Sequence, residues 1–378
     1  MFYNLGHRTG IIDPLPDTLA KGPTKGRGAV TNQTNRYERL IAQPVDDGWQ
    51  GADTEDDLPP LRTTLIRDTS KTVIARNNSP DIPFEQSINP YRGCEHGCVY
   101  CFARPTHAFL GLSPGLDFES RIPFKPEAAR LLEKELRRPS YKCSVIAMGT
   151  NTAPYQPTEK SLRITRSILE VLSAFNQPVG IVTKSALVLR DLDILAPMAE
   201  RGLAQVCVSV TTLDRTLANK LEPRAATPGR RIETIGTLAA AGVPTGVMAA
   251  PMIPALNDHE MEKILQTARQ AGAQIASYIL LRLPLEIKDL FVEWLEVHAP
   301  DKARHVMSLI RDTRNGKAYE AEFGSRMQGT GEYAALLKKR FGIASRRLGY
   351  DAIERFELDT SQFRPPLARD GQLSLFLD

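Results

Sequence analysis

The sequence predicts an α/β fold: a curved, six-stranded (βα)6 partial barrel carrying an N-terminal and a C-terminal extension. Two observations predict it. Short apolar runs near 87–89, 144–148, 179–182, 205–210, 245–249 and 275–281 alternate with helical patterns over 126–138, 158–175, 191–201, 228–241 and 257–271. Strands separated in this way by helices imply a parallel sheet with right-handed crossovers. Chemically active residue types also fall just after several of these strands, and parallel barrels gather their chemistry at the carboxyl ends of their strands.

Taken in order, residues 1–60 read as a partly disordered extension. Gly22, Pro23, Gly26 and Gly28 interrupt its basic stretch, and little apolar periodicity follows. Residues 46–60 are acidic and rich in turn formers, the composition of a linker. The cations Lys21, Lys25, Arg27, Arg36 and Arg39 form either an arm that tracks a phosphate backbone or a solvated tail. Residues 61–85 carry β-branched runs on either side of Asp68 to Lys71 and read as a hairpin leading into the barrel. The barrel itself spans 86–285. Within it Pro126 and Pro228 suit first helical turns, and Gly202, Gly242 and Gly272 suit positions just past helix ends. Residues 286–362 turn helical, over 289–298, 302–311 and 333–341. They concentrate Lys338, Lys339, Arg340, Arg346 and Arg347 with no acid among positions 336–350, as a phosphate-contacting face or a solvated one. Residues 363–378 read as an extended, exposed, flexible tail.

Composition sets outer bounds. The chain has 378 residues, 42% of them hydrophobic, enough for one large domain with extensions or two modest ones. No apolar run reaches the roughly 18 residues of a membrane span, and the first residues lack a hydrophobic signal region, so neither a membrane nor a secretory role is expected. A net charge of +4 excludes a chain that binds polyanions over its whole surface. Five cysteines, three of them clustered, suit a reducing cytoplasm rather than a disulfide framework.

The three clustered cysteines are the most informative residues. Cys94, Cys98 and Cys101 follow the first barrel strand with C-x3-C-x2-C spacing, and the aromatic Tyr100 precedes the last of them. Three thiolates on one loop can hold three irons of a four-iron cube and leave the fourth iron free to bind a small molecule. A zinc site completed by His96 or His107 is a second reading, and three buried structural thiols a third. His96 as a fourth iron ligand would block the open position, so it reads as a neighbour of the cluster, as do Asn89, Arg92 and Arg104.

This loop resembles that of the radical S-adenosylmethionine superfamily. The resemblance implies a 4Fe-4S cluster whose open iron binds S-adenosylmethionine and a reductive cleavage that yields a 5′-deoxyadenosyl radical. It also implies a partial TIM barrel of radical SAM type, in which the cofactor supplies the chemistry and the protein positions the substrate. Over about residues 85–285 the chain further resembles the spore photoproduct lyase branch, often called the DNA repair photolyase group. The pieces are Val182-Thr183-Lys184, Val208-Ser209-Val210, Leu221-Glu222-Pro223, Arg231 with Ile232, and Ala249-Ala250-Pro251. By this resemblance Lys184 binds the carboxylate of S-adenosylmethionine and Ser209 donates a hydrogen bond to it. Asn151, Thr152, Tyr155 and Gln156, after the second strand, are candidates for its amino group. Tyr100 packs beside cluster and adenine. Glu222 and Arg224 either orient the ligand or a phosphate, or pair with each other.

The resemblance has a gap. Members of this branch quench the substrate radical through a cysteine at the end of strand two, aided by tyrosines beside the cluster cysteines. Here Gly149 takes the cysteine's position and Phe102 one tyrosine's. Cys143 lies six residues earlier, about 20 Å along an extended strand, and Cys207 reads as core. The same hydrogen relay is therefore not expected.

Near the end, Gln372-Leu373-Ser374-Leu375-Phe376 resembles the pentapeptide by which bacterial repair and replication proteins bind the sliding clamp. Leu375 and Phe376 would enter an apolar pocket while Gln372 fixes orientation. The sequence thus points to a cytoplasmic, DNA-directed radical lyase with a cytoplasmic electron donor. The alternatives are a radical enzyme that modifies RNA or protein, and a non-catalytic iron–sulfur sensor that binds DNA.

Overall fold

The structure, a computed structural model, describes residues 23–38, 61–351 and 357–367. Three short strands come first: β1 (Thr64–Arg67), β2 (Ile74–Arg76) and β3 (Gln86–Ile88). The cluster loop and a 3-10 turn over Arg104–Leu110 lead to α1 (Asp117–Ser120), β4 (Arg121–Phe124) and α2 (Ala128–Leu136). The alternating part continues through β5 (Ile146–Met148), α3 (Glu159–Leu162), α4 (Ile164–Ala174), β6 (Val179–Thr183), α5 (Leu192–Glu200) and β7 (Ala204–Ser209). It closes with α6 (Arg215–Leu221), α7 (Pro228–Ala240), β8 (Thr245–Met252), α8 (Met261–Gln270) and β9 (Ile275–Leu280). The last helices are α9 (Ile287–His298), α10 (Pro300–Asp312) and α11 (Gly331–Leu348).

The six expected barrel strands form one sheet in the order β3-β5-β6-β7-β8-β9, every neighbouring pair parallel. β2 adds an antiparallel edge to β3. Strand periodicity explains the sequence pattern. On β6 and β7, residues such as Val179, Ile181, Val206 and Val208 are buried, and the alternating Gly180, Val182, Gln205 and Cys207 are half-buried. The buried set joins one large core with Leu132, Leu169, Leu195, Leu238 and Leu265 from the covering helices. Each such aliphatic side chain contributes about 1.5–3 kcal/mol on burial.

Four expectations change. Residues 61–85 do not form a hairpin: β1 pairs in parallel with β4, and β2 with β3, so the two strands belong to different sheets. The helix expected over 158–175 is broken at Arg163, with φ 54°. The break lets the Glu159 carboxylate accept from Thr165 N at 3.1 Å, at the start of α4. The N-terminal extension is not loose throughout, since Arg27, Gly28, Ala29, Val30, Asn32 and Asn35 are buried. The tail does not begin at 363: Phe363 packs on Tyr141 and Phe175 with ring centroids 5.2 and 6.4 Å apart, and Arg364 N donates to Phe175 O at 3.0 Å. Among the described residues no helix is long and apolar enough to cross a membrane.

Candidate active site

The cluster loop leaves the carboxyl end of β3 and is clamped from several sides. Cys94 N donates to Phe118 O at 2.9 Å, and Val99 N donates to Leu221 O at 3.1 Å. Gln156, one of the residues expected to meet the ligand, instead spans the loop: its Oε1 accepts from Glu95 N at 2.8 Å and its Nε2 donates to Gly93 O at 3.3 Å. From below, the fully buried Arg104 guanidinium donates to Cys98 O (2.9 Å), Pro114 O (3.0 Å) and Gly115 O (2.9 Å), and pairs with Glu119. The Glu119 carboxylate also accepts the backbone N–H groups of Gly28 (2.9 Å) and Ala29 (2.8 Å). Gly28 lies against the loop so closely that a Cβ there would be 1.7 Å from Gly97 O. Residues 23–38 are therefore a strap across the cluster loop. Two of the three described cations of the expected phosphate-tracking arm serve it: Arg27 donates to Glu119 O and Leu61 O at 2.6 Å each, and Arg36 pairs with Glu286 at 2.8 Å, while Lys25 is exposed.

Cys94, Cys98 and Cys101 are free thiols. Burial pushes all three up, Cys94 to about 12, and the neighbouring thiols add to the rise at Cys94 and Cys98. Thiols that raise one another occupy one neighbourhood. Among the described residues no three His, Cys, Asp or Glu side chains converge closely enough to hold a single metal ion. That gives no support to a closed zinc set. A four-iron cube takes each thiolate at a separate corner, so its donors need not meet at one point. His107 is engaged elsewhere, its Nε2 lying 3.0 Å from Arg121 O and its ring edge-on to Phe118 at 5.1 Å. Burial holds His96 down to about 3, a neutral imidazole. The donor set fits a cluster with three protein ligands.

Facing this loop, the ends of β6, β7 and β8 bring together a polar network. Lys184 Nζ donates to Ser209 Oγ at 2.7 Å and to Thr211 Oγ1 and Ala250 O at 3.3 Å each, and lies 3.2 Å from Glu222 Oε1. Its ammonium sits 5.6 Å from the centroid of the Tyr100 ring, whose hydroxyl bonds to Glu222. Burial lowers Lys184 to about 8. Thr211 Oγ1 also donates to Glu222 at 2.5 Å. The partner of Glu222 is Arg231, not Arg224 as one sequence reading had it: Arg231 pairs with the carboxylate and donates to Ser209 O at 3.1 Å and Ala226 O at 2.7 Å. Burial pushes the Glu222 carboxyl up, and Arg231 works against that rise. Arg224 instead pairs with Glu95 Oε1 at 3.2 Å.

Of the sequence-expected residues, Tyr100, Lys184, Ser209 and Glu222 converge. Asn151 and Thr152 sit in the loop after β5, their N–H groups donating to Asn89 Oδ1 at 3.1 and 3.4 Å. Thr152 Oγ1 is turned to Tyr91 O at 2.9 Å. Tyr155 does not face the site: its ring is fully buried in the main core, where an apolar ring contributes more by packing. Arg340 is not free for a phosphate, because it clasps Glu262 at 2.7 Å on α8, while Lys338, Lys339, Arg346 and Arg347 remain exposed on α11. Cys207, expected as core, is half-buried on the same face of β7 as Ser209. The clamp-like residues Gln372, Leu373, Leu375 and Phe376 lie outside the described residues. Sequence reasoning missed Arg231 and Thr211 as site residues. A buried acid such as Glu222 needs a cation, and Arg231, on the first turn of the next long helix, was the available signal.

Gly149 accounts for the relay gap in backbone terms. Its φ is +89°, and a Cβ would lie 2.0 Å from Val182 O. The backbone at Gly149 leaves no room for a side chain, so no thiol can stand at the end of β5 at this position.

Fold and site together define a partial-barrel enzyme with a three-thiol loop and an adjoining cationic pocket at the strand ends. A profile described as the radical SAM superfamily matches residues 88–268. An uncharacterized protein of Mycobacterium tuberculosis, Rv2578c, is 36% identical over 236 residues, 62% of this chain and 69% of that protein. An uncharacterized protein of Methanocaldococcus jannaschii, MJ0683, is 29% identical over 174 residues, 46% of this chain and 62% of that one. Among solved structures, spore photoproduct lyase complexed with dinucleoside spore photoproduct superposes with a TM-score of 0.53 at 17% identity, over 75% of this chain and 79% of that one. The chain belongs to the radical SAM superfamily. Its cofactors are accordingly a 4Fe-4S cluster and S-adenosylmethionine, and it is a radical enzyme that cleaves the latter.

Proposed function

We propose that this enzyme acts on damaged DNA. Cys94, Cys98 and Cys101 hold the cluster. When bound, cluster and S-adenosylmethionine supply a 5′-deoxyadenosyl radical that takes a hydrogen atom from the substrate. Lys184 and Ser209 receive the ligand carboxylate, and the loop of Asn151 and Thr152 faces its amino group. Tyr100 and Glu222 fix the Lys184 ammonium between strand ends, and Arg231 pairs with Glu222 and opposes the rise that burial gives its carboxyl. Thr211 bonds to the same carboxylate and helps hold it in place. The observation that carries this reading is the Lys184–Ser209–Glu222 network built against Tyr100 of the three-thiol loop. DNA as substrate class draws on the fold likeness to a lyase solved with a dinucleoside lesion and on the exposed cations Lys338, Lys339, Arg346 and Arg347.

Because Gly149 and Phe102 replace two members of the lyase relay, spore photoproduct itself is not the expected lesion. A panel of defined ultraviolet and alkylated oligonucleotides, incubated anaerobically with holoprotein, dithionite and S-adenosylmethionine, tests this. One lesion should raise 5′-deoxyadenosine release and change mass. If spore photoproduct is repaired faithfully, the relay argument fails. If RNA or a protein is turned over and no DNA is, the DNA reading fails.

The tail supports a second contact. Gln372, Leu373, Leu375 and Phe376 dock on the bacterial sliding clamp, two apolar anchors with one orienting amide. The double variant Gln372→Ala with Phe376→Ala should abolish capture by immobilised clamp and leave iron content unchanged. Capture equal to wild type would reject the motif.

A further inference from the structure

Next to the cluster loop lies a surface that neither the cofactors nor the barrel core accounts for. Phe102 directly follows the last cluster cysteine, yet 43% of it is exposed. The Arg282 guanidinium, just beyond β9, lies 4.4 Å from the centroid of its ring. Among the described residues Arg282 is half-buried and makes no direct ion pair; Asp81, the carboxylate that acts on it through space, is itself paired with Arg326 at 2.6 Å. A second plate stands at the far end of the same short segment. Tyr37 is 57% and Phe109 68% exposed, with ring centroids 5.6 Å apart. The Arg36 guanidinium lies 4.6 Å from the Tyr37 centroid and 5.2 Å from that of Phe109.

The two plates are tied into one rim. Arg36 Nη1 donates to Pro105 O at 3.3 Å, on the segment between Phe102 and Phe109. It also pairs with Glu286, four residues beyond Arg282. Between them Leu285 is exposed. Three stretches of chain, 36–37, 102–109 and 282–286, thus bring exposed rings, the Arg36 guanidinium and the half-buried Arg282 guanidinium to the segment that follows Cys101. Isolated exposed apolar residues need no explanation. Rings paired with guanidinium groups along one edge do, because each would be better covered.

We propose that this rim holds an unpaired stretch of nucleic acid, with one base stacked at Phe102 and Arg282 and another base of the same strand at Tyr37 and Phe109. The inference rests on the DNA reading above and specifies the form of DNA. Ring faces stack on any base, and guanidinium planes stack on bases and meet phosphates. The Arg282 guanidinium, which has no direct carboxylate partner among the described residues, is complementary to a backbone phosphate. Enzymes that do chemistry on a base take it out of the duplex stack, and the plate at Phe102 adjoins the loop where the radical is generated. The base held there is the one that reacts. A protein partner would also find aromatic anchors here, but guanidinium groups set against the rings favour a strand that carries phosphates.

Fluorescence anisotropy of anaerobic holoprotein decides the matter. The probes are a fluorescein-labelled single strand, its perfect duplex, and the duplex with one bulged base. Phe102→Ala, Phe109→Ala and Tyr37→Ala should each weaken single-strand and bulge binding by about 5-fold to about 100-fold. Perfect-duplex affinity should change far less. Phe102→Tyr should restore binding, and Arg282→Gln should flatten the salt dependence by about one phosphate contact. Iron content and melting temperature of each variant, unchanged from wild type, tie any loss to the rim. Wild-type DNA binding that all three alanine variants retain would overturn the rim and leave DNA as the substrate class. Equal losses on single strand and duplex would overturn stacking. A holoprotein that binds no nucleic acid would overturn the rim and the DNA reading together.

Discussion

Replacing Arg104 by alanine should cost about 3–5 kcal/mol of stability, because it leaves a buried carboxylate without its cation. Arg104 holds the carbonyls of Cys98, Pro114 and Gly115 and the carboxylate of Glu119, and both members of the pair are fully buried. Glu119 in turn holds the strap through Gly28 N and Ala29 N. The substitution therefore reaches beyond its own contacts. Hydrogen exchange should show Gly28, Ala29 and the loop from Cys94 to Cys101 losing protection, while strands β6 to β8 keep theirs. Arg104→Lys should rescue little, since one ammonium cannot reproduce a planar fork with this many acceptors. A urea midpoint for Arg104→Ala equal to wild type would show that the pair is dispensable.

Lys184→Met should weaken S-adenosylmethionine binding about 10-fold to 100-fold, the range of one or two charge-assisted hydrogen bonds. Lys184 is the only ammonium in the described network, and its present partners are Ser209, Thr211, Ala250 O and Glu222. An incoming carboxylate takes over an acceptor's place beside a cation that is already positioned. Equilibrium dialysis of anaerobic holoprotein against labelled ligand measures the change. Iron content should stay at the wild-type value, because the hydrogen bonds of Lys184 go to Ser209, Thr211 and Ala250 O and not to the thiols. Unchanged affinity would remove Lys184 from the ligand site, and lost iron would make it a structural residue of the loop.

Much of this was legible in the sequence. The barrel strands show because their outward residues are apolar and periodic, as at Val179, Ile181, Val206 and Val208. The cluster loop shows because three thiols at that spacing have few other uses, and Lys184 and Ser209 show because they follow or end buried strands. What escaped depends on contacts that leave no pattern in residue types. The strap is held by backbone amides of Gly28 and Ala29 and by close approach to Gly97, so a glycine-rich segment read as loose is packed. β1 finds its partner in β4, far along the chain, rather than in its neighbour β2, and local propensity carries no information about that choice. Tyr155 was a candidate for the ligand's amino group through the family resemblance of the loop after the second strand, and the direction its side chain takes into the core is not written in residue types.

The central claim is that the three-thiol loop and the Lys184 network together hold a four-iron cluster with one iron left for S-adenosylmethionine. It is tested most directly by reconstituting the full chain anaerobically, counting iron, and adding dithionite with S-adenosylmethionine. The account predicts about four irons per chain, an electron paramagnetic resonance signal that shifts on adding the ligand, and release of 5′-deoxyadenosine that disappears in Cys98→Ala. Zinc or two irons per chain, or a four-iron signal indifferent to the ligand with no 5′-deoxyadenosine formed, would contradict it.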